Sequence, residues 1–160
     1  MERLLVRTLC PMSIEVRRLS SADVAVLDDF APAFDGPIDP RSTAAFLGDP
    51  RHHLLVTWFD GHATGFVSAT EILHPDKPME LFLNELAVIE DWRRRGVATA
   101  LLDALERLAV AQGAAQIWVL TDEMNAAAVA TYRRAGGTWN GEHSIMFEIE
   151  PTGRGGTAPQ

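Results

Sequence analysis

Residues 84–109 read NELAVIEDWRRRGVATALLDALERLA. The run Leu81 to Ile89 is apolar except for Asn84 and Glu85, which predicts a buried strand. Val97 to Gln112 predicts an amphipathic helix: Leu101, Leu105 and Leu108 fall at i, i+4 and i+7, with Asp103, Glu106 and Arg107 on another face. Gly113 is placed to end it. Between strand and helix lie Arg93, Arg94, Arg95 and Gly96. Glycine allows a tight turn and a close backbone approach to a ligand. The first amides of the helix that follows are unpaired at the positive end of the helix dipole. With arginines beside them as charge-assisted donors, such a turn suits phosphate oxygens. An arginine-rich surface turn has the same composition, so the letters alone leave both readings open.

Outward from this stretch the same reasoning places the other elements. Ile14, Val16 and Leu19 suggest a first strand, and Ser20 or Ser21 caps a helix through Ala22 to Phe30. Residues 33–39 form a loop carrying Asp35 and Asp39, followed by a short helix from Arg41 to Leu47. His53 to Phe59 and Thr64 to Leu73 are strands joined by Asp60-Gly61, a strong hairpin signal. Gln116 to Thr121 reads as a strand and Asn125 to Ala135 as a helix ended by Gly136-Gly137. Ser144 to Ile149 reads as a last strand. The order predicts an α/β layer protein built on one mixed sheet.

The 160 residues contain 14 basic and 22 acidic side chains, a net charge of −8. This balance argues against nucleic-acid binding, which wants a basic face, and permits a cationic substrate. One cysteine, Cys10, excludes a disulfide framework within the chain. No apolar run reaches the roughly 18 residues of a membrane helix, and the five histidines show no metal spacing. Residues 1–12 read as a loose extension, Met12 being an alternative start. Residues 13–151 then form a single domain, and residues 152–160 read as a disordered tail.

The string 84–109 resembles the acetyl-CoA-binding core of the GNAT superfamily of N-acetyltransferases. The family signature is Arg or Gln, two residues, Gly, one residue, then Gly or Ala; Arg93, Gly96 and Ala98 match it in place. A second signature, a helix opening near Asn and carrying a tyrosine before a small-residue turn, resembles residues 125–137, NAAAVATYRRAGG. The chain is also similar to small aminoglycoside 3-N-acetyltransferases through Glu85-Leu86-Ala87-Val88, Val97-Ala98-Thr99-Ala100-Leu101 and Phe147-Glu148-Ile149-Glu150-Pro151. Glu85 stands where those enzymes tend to carry Asp, and residues 121–125 differ from their Asp-rich loop.

The resemblance implies a GNAT-type mixed, mostly antiparallel sheet flanked by helices on both faces, with splayed central strands, and direct acetyl transfer from acetyl-CoA without a covalent acyl-enzyme. It implies that the amides of Arg95, Gly96, Val97, Ala98 and Thr99, with Arg93 and Arg94 beside them, hold the pyrophosphate. Leu86, Ala87 and Val88 would pair with the pantetheine arm, an amide near Val88 polarising the thioester carbonyl. Glu85 would accept the proton of the attacking amine, or it is an edge carboxylate paired with an arginine. Tyr132, the one tyrosine, would protonate the departing thiolate, or it is a core aromatic. Asn125 would touch the pantetheine, or is a helix cap. The acids Asp35, Asp39, Asp122, Glu123, Glu142 and Glu148, with His143, would line a pocket for a cationic amine. The expected activity is acetylation of the 3-amino group of an aminoglycoside in the cytoplasm. The rivals are another amine (a polyamine, an amino acid or a protein N-terminus) and a CoA-binding regulatory domain. A homodimer through edge strands is a further expectation.

Overall fold

A computed structural model describes residues 13–139, 141 and 147. Five strands, β1 (Ile14–Arg18), β2 (His52–Phe59), β3 (His62–Ile72), β4 (Glu80–Val88) and β5 (Ile117–Trp118), lie side by side in chain order. Each of the first four is antiparallel to its neighbour among them, while β5 runs parallel to β4. A 3₁₀ helix (Ser21–Ala33) and α1 (Pro40–Gly48) separate β1 from β2; α2 (Val97–Gln112) separates β4 from β5, and α3 (Ala126–Arg134) follows. This is the mixed, mostly antiparallel α/β sheet that the sequence and its resemblance predict. No helix among the described residues is long and apolar enough to cross a membrane.

The two faces of the sheet bury separate cores. Leu55, Val67, Ala69, Leu81 and Leu83 meet Val97, Leu101, Leu105 and Ala109 of α2. On the other face Leu54, Val56 and Phe66 meet Leu27 and Phe30 of the 3₁₀ helix, with Phe46 and Leu47 of α1 beside them. Successive strand residues point to opposite faces, so two covered faces make the strand sequences continuously apolar rather than alternating.

The first helix is 3₁₀ rather than the expected α-helix. Val24, Leu27, Phe30 and Ala33 recur every third residue, so three residues per turn stack them in one stripe. Ser20 caps it: its hydroxyl accepts from the Ala22 amide, and the Asp23 carboxylate accepts from the Ser20 amide at 2.9 Å. Asp60 (φ 49°) and Gly61 (φ 80°) form the β2–β3 turn with both residues left-handed, matching the twist of the flanking strands.

The expected strand over Gln116 to Thr121 shrinks to Ile117 and Trp118, because beyond Trp118 the chain no longer pairs with β4. The two strands pair at the Leu81–Phe82 end, and the pairing does not continue toward Val88. The expected last strand, Ser144 to Ile149, lies outside the described residues apart from Phe147.

Candidate active site

Glu85 owes its position to an irregularity in β4. Ser68 pairs with Glu85 and the next residue, Ala69, pairs with Leu83, so Asn84 is an extra residue without a partner in β3. Strict alternation from Leu81 and Leu83 would send Glu85 into the α2 core. The bulge resets the phase: Leu86 and Val88 pack on the α2 face, while Ala87 packs on the opposite face with Phe66. Bulges commonly re-aim a side chain beside a functional site. Asn84 is held by its amide, which donates to Thr70 Oγ1 at 2.9 Å. Glu85 therefore lines a cleft of about 230 Å³ with Asp35, Ala33, Phe66, Leu86 and Ala87. Asp35 arrives from the loop after the 3₁₀ helix. Two exposed carboxylates from distant parts of the chain thus share one small, partly apolar cleft.

The turn after β4 leads directly into α2. Arg94 (φ 60°) and Gly96 (φ 85°) are both left-handed. Gly96 sits at the N-cap of α2, and no side chain caps that helix. The Ala100 amide bonds the Gly96 carbonyl at 2.9 Å, so the amides of Val97, Ala98 and Thr99 ahead of it have no intrahelical acceptor. Arg93 folds back, its Nε donating to the Val88 carbonyl at 3.2 Å, and Arg95 stacks over Trp92 at 5.0 Å. Trp92 in turn packs against Phe59 and His62 of the β2–β3 hairpin, fixing the turn to the sheet.

Gly65, which the sequence reading passed over, holds this turn close. A β-carbon there would stand 2.5 Å from the Ala87 carbonyl, 3.2 Å from Val88 Cα and 3.3 Å from Val97 Cγ1. Only the absence of a side chain lets β3, the end of β4 and the first turn of α2 meet. The available signal was a single glycine inside an apolar strand, which often marks a close backbone approach.

Tyr132 is half-buried and packs on the α2 side of the sheet. Burial pushes its hydroxyl pKa up, so the phenol keeps its proton at neutral pH. The hydroxyl makes no hydrogen bond to another described residue. Asn125 caps α3, its side-chain oxygen accepting from the Ala128 amide at 3.1 Å. At the far end Gly136 and Gly137 return amides to the Arg133 and Tyr132 carbonyls at 3.1 and 2.9 Å.

Among the described residues, Asp39, Asp122 and Glu123 do not line the cleft. Asp39 is the N-cap of α1, taking hydrogen bonds from the Ser42 hydroxyl and the Ser42 and Arg41 amides, and the Ser42 bonds hold its carboxyl below the usual range. Asp122 closes a turn by accepting from the Met124 amide at 2.8 Å, and Glu123 is exposed beside it. Glu142, His143 and Glu148 lie outside the described residues.

The sequence model of the acetyltransferase (GNAT) family matches residues 24–137. This chain belongs to the acetyltransferase (GNAT) family. Proteins named as uncharacterized N-acetyltransferases of Mycobacterium bovis and Mycobacterium tuberculosis are 27% identical over 120 residues, covering 75% of this chain and 74% of theirs. An aminoglycoside acetyltransferase from an uncultured soil metagenomic sample is 28% identical, with a TM-score of 0.75 over 88% of this chain and 100% of its own. A second soil metagenomic aminoglycoside acetyltransferase, solved with sisomicin, is 16% identical with a TM-score of 0.79, covering 87% of this chain and 97% of its own. At that identity the likeness speaks for the fold alone. As a GNAT acetyltransferase the chain is an N-acetyltransferase, and the left-handed Gly96 turn at an uncapped helix is where its family signature falls.

Proposed function

We propose that this GNAT protein transfers acetyl from acetyl-CoA to an amine of a cationic small molecule, an aminoglycoside in first place. The observation that carries the reading is the shared cleft of Glu85 and Asp35, set directly beside Leu86 and Ala87 and one strand end away from the Arg93–Gly96 turn. Two carboxylates in one cleft suit a substrate with several ammonium groups, and the net charge of −8 draws it in. The structure of a sequence relative described as an aminoglycoside acetyltransferase supports the same substrate class. The 3-amino group as acceptor rests on the sequence resemblance.

The residues present fit acetyl-CoA. The unpaired amides of Val97, Ala98 and Thr99, with Arg94 beside them, offer donors to a pyrophosphate. The β4 edge from Leu86 to Val88, free of β5, offers backbone groups to the amides of a pantetheine arm. When bound there, acetyl-CoA supplies an activated acyl group. The rest is work for this chain's own side chains. Aliphatic amines are protonated at neutral pH, so the acceptor must lose a proton before it can attack. Asp35 and Glu85 hold the ammonium, and a Glu85 carboxylate oxygen takes the proton directly or through one water. The Tyr132 hydroxyl gives its proton to the departing sulfur. Dependence on acetyl-CoA places the enzyme in the cytoplasm.

A thiol-release assay with acetyl-CoA against aminoglycosides, polyamines and N-terminal peptides tests the reading, with NMR of the product locating the acetylated nitrogen. Release with aminoglycosides, slowed by high salt, is expected. Release only with peptides or neutral amines would replace the substrate class, and none with any amine, despite CoA binding, would leave a regulatory domain.

A further inference from the structure

At the closed end of the β4–β5 wedge one carboxylate is buried. Glu80 opens β4, and its side chain is 9% exposed. Three donors surround it: Lys77 Nζ at 3.0 Å, Gln116 Nε2 at 2.9 Å and His74 Nε2 at 3.2 Å. His74 and Lys77 belong to the β3–β4 connection, and Gln116 immediately precedes β5. The backbone ties the same segments: the Ala115 amide bonds the Met79 carbonyl at 2.9 Å and the Leu81 amide bonds the Gln116 carbonyl at 3.0 Å. Two residue pairs follow, Leu81 with Ile117 and Phe82 with Trp118, and there the recorded pairing of the two strands ends. A buried charge persists only when its partners are in place, and deleting one partner strands the others.

This placement gives Glu80 leverage. From Phe82 to Val88 is six residues, about 20 Å of strand, so a change of about 5° at the base moves the open end by about 1.7 Å. Misplacement on that scale is enough to stretch a backbone hydrogen bond between β4 and a bound pantetheine arm beyond its working range. We infer that Glu80 is a positioning residue for the acetyl donor: its carboxylate, gripping His74, Lys77 and Gln116, locks the base of the wedge and so sets the opening between β5 and Leu86–Val88. The inference rests on the acetyl-CoA reading above. Glu80 itself touches neither substrate.

The test measures CoA affinity by calorimetry and steady-state kinetics for wild type, Glu80→Ala, Glu80→Gln and Gln116→Ala, with circular dichroism to show folding. Glu80→Ala should raise the CoA Kd and the acetyl-CoA KM about tenfold, the loss of about one hydrogen bond to the bound donor. Its kcat at saturation and its amine KM should stay within about threefold of wild type. Glu80→Gln, whose amide oxygen still accepts from Lys77 or Gln116, should recover most of the loss, and Gln116→Ala should fall between. A role confined to stability would lower Tm and leave the acetyl-CoA KM in step with the amine KM. A folded Glu80→Ala with wild-type CoA affinity overturns the proposal. So does a loss confined to kcat. Should Glu80→Ala fail to fold, wild-type CoA affinity in both Glu80→Gln and Gln116→Ala overturns it equally. A wild-type protein that binds no CoA overturns the acetyl-CoA reading itself, and the role of Glu80 falls with it.

Discussion

Gly65→Ala adds one methyl group where three elements meet. The new carbon would stand 2.5 Å from the Ala87 carbonyl oxygen, a backbone atom that cannot rotate away. Reaching an ordinary contact near 3.4 Å requires β3 and β4 to part by close to 1 Å. The strain falls where Gly65 pairs with Val88, one step from the Val88 carbonyl that holds Arg93 and against the Val97 side chain that opens α2. Overpacking of this kind costs about 1–3 kcal/mol. For a chain of this size each kcal/mol lowers Tm by about 2–4 °C, so a fall of about 2–12 °C is expected. The same displacement tilts the Gly96 turn, so CoA affinity should fall with stability. Thermal unfolding followed by circular dichroism and CoA titration by calorimetry read the two effects. A Gly65→Ala protein with wild-type Tm and CoA affinity would show that β3, β4 and α2 are not held together at this point.

Three other perturbations probe separate parts of the account. Tyr132→Phe removes only the hydroxyl; kcat should fall about 10²–10⁴-fold with CoA affinity retained, and a rate within twofold of wild type would make Tyr132 a packing residue. Gly96→Val forces a β-branched residue to φ 85°, so CoA binding should weaken sharply in a protein that still folds, as calorimetry will read. His53 is buried, its Nε2 2.9 Å from Glu71 Oε1 and its Nδ1 without a hydrogen-bond partner among the described residues. Burial lowers its pKa despite Glu71, with Arg18 and His52 adding to the lowering. The unfolded chain therefore takes up the proton first as pH falls through about 6.5, and stability declines below that point by at most about 1.4 kcal/mol per pH unit for this one group. His53→Gln should flatten the decline of Tm between pH 7.5 and 5.5, and an equally steep decline would remove His53 as its source.

Element identity was legible where periodicity was strong. The apolar stripe of α2 and the Gly113 stop predicted Val97–Gln112 to the residue. The family signature at Arg93, Gly96 and Ala98 pointed to the left-handed Gly96 turn because a glycine requirement is local. Long-range geometry was less legible. The placement of Asn84 as a bulge depends on pairing with β3, so the face that receives Glu85 could not be derived from β4 alone. β5 pairs with β4 over Ile117 and Trp118, while Gln116 to Thr121 keep a strand-like composition. The 3₁₀ helix did leave a trace, an apolar period of three that a 3.6-residue template reads as helix without further distinction. Asp35 and Asp39 look alike in sequence, yet one lines the cleft and the other caps α1, because only Asp39 is followed by the amides of a helix start. Gly65 and Glu80 escaped notice because their roles come from neighbours distant in sequence or from burial.

The rate of amine acetylation by Glu85→Gln beside wild type, with released thiol and product mass followed together, bears most directly on the claim that the β4 bulge aims a base at the amine. The substitution keeps the shape of the side chain and removes its charge and its basicity. Turnover of an aminoglycoside should drop about 10²–10⁴-fold at unchanged CoA affinity. Full turnover by Glu85→Gln would contradict the account and place the proton acceptor elsewhere.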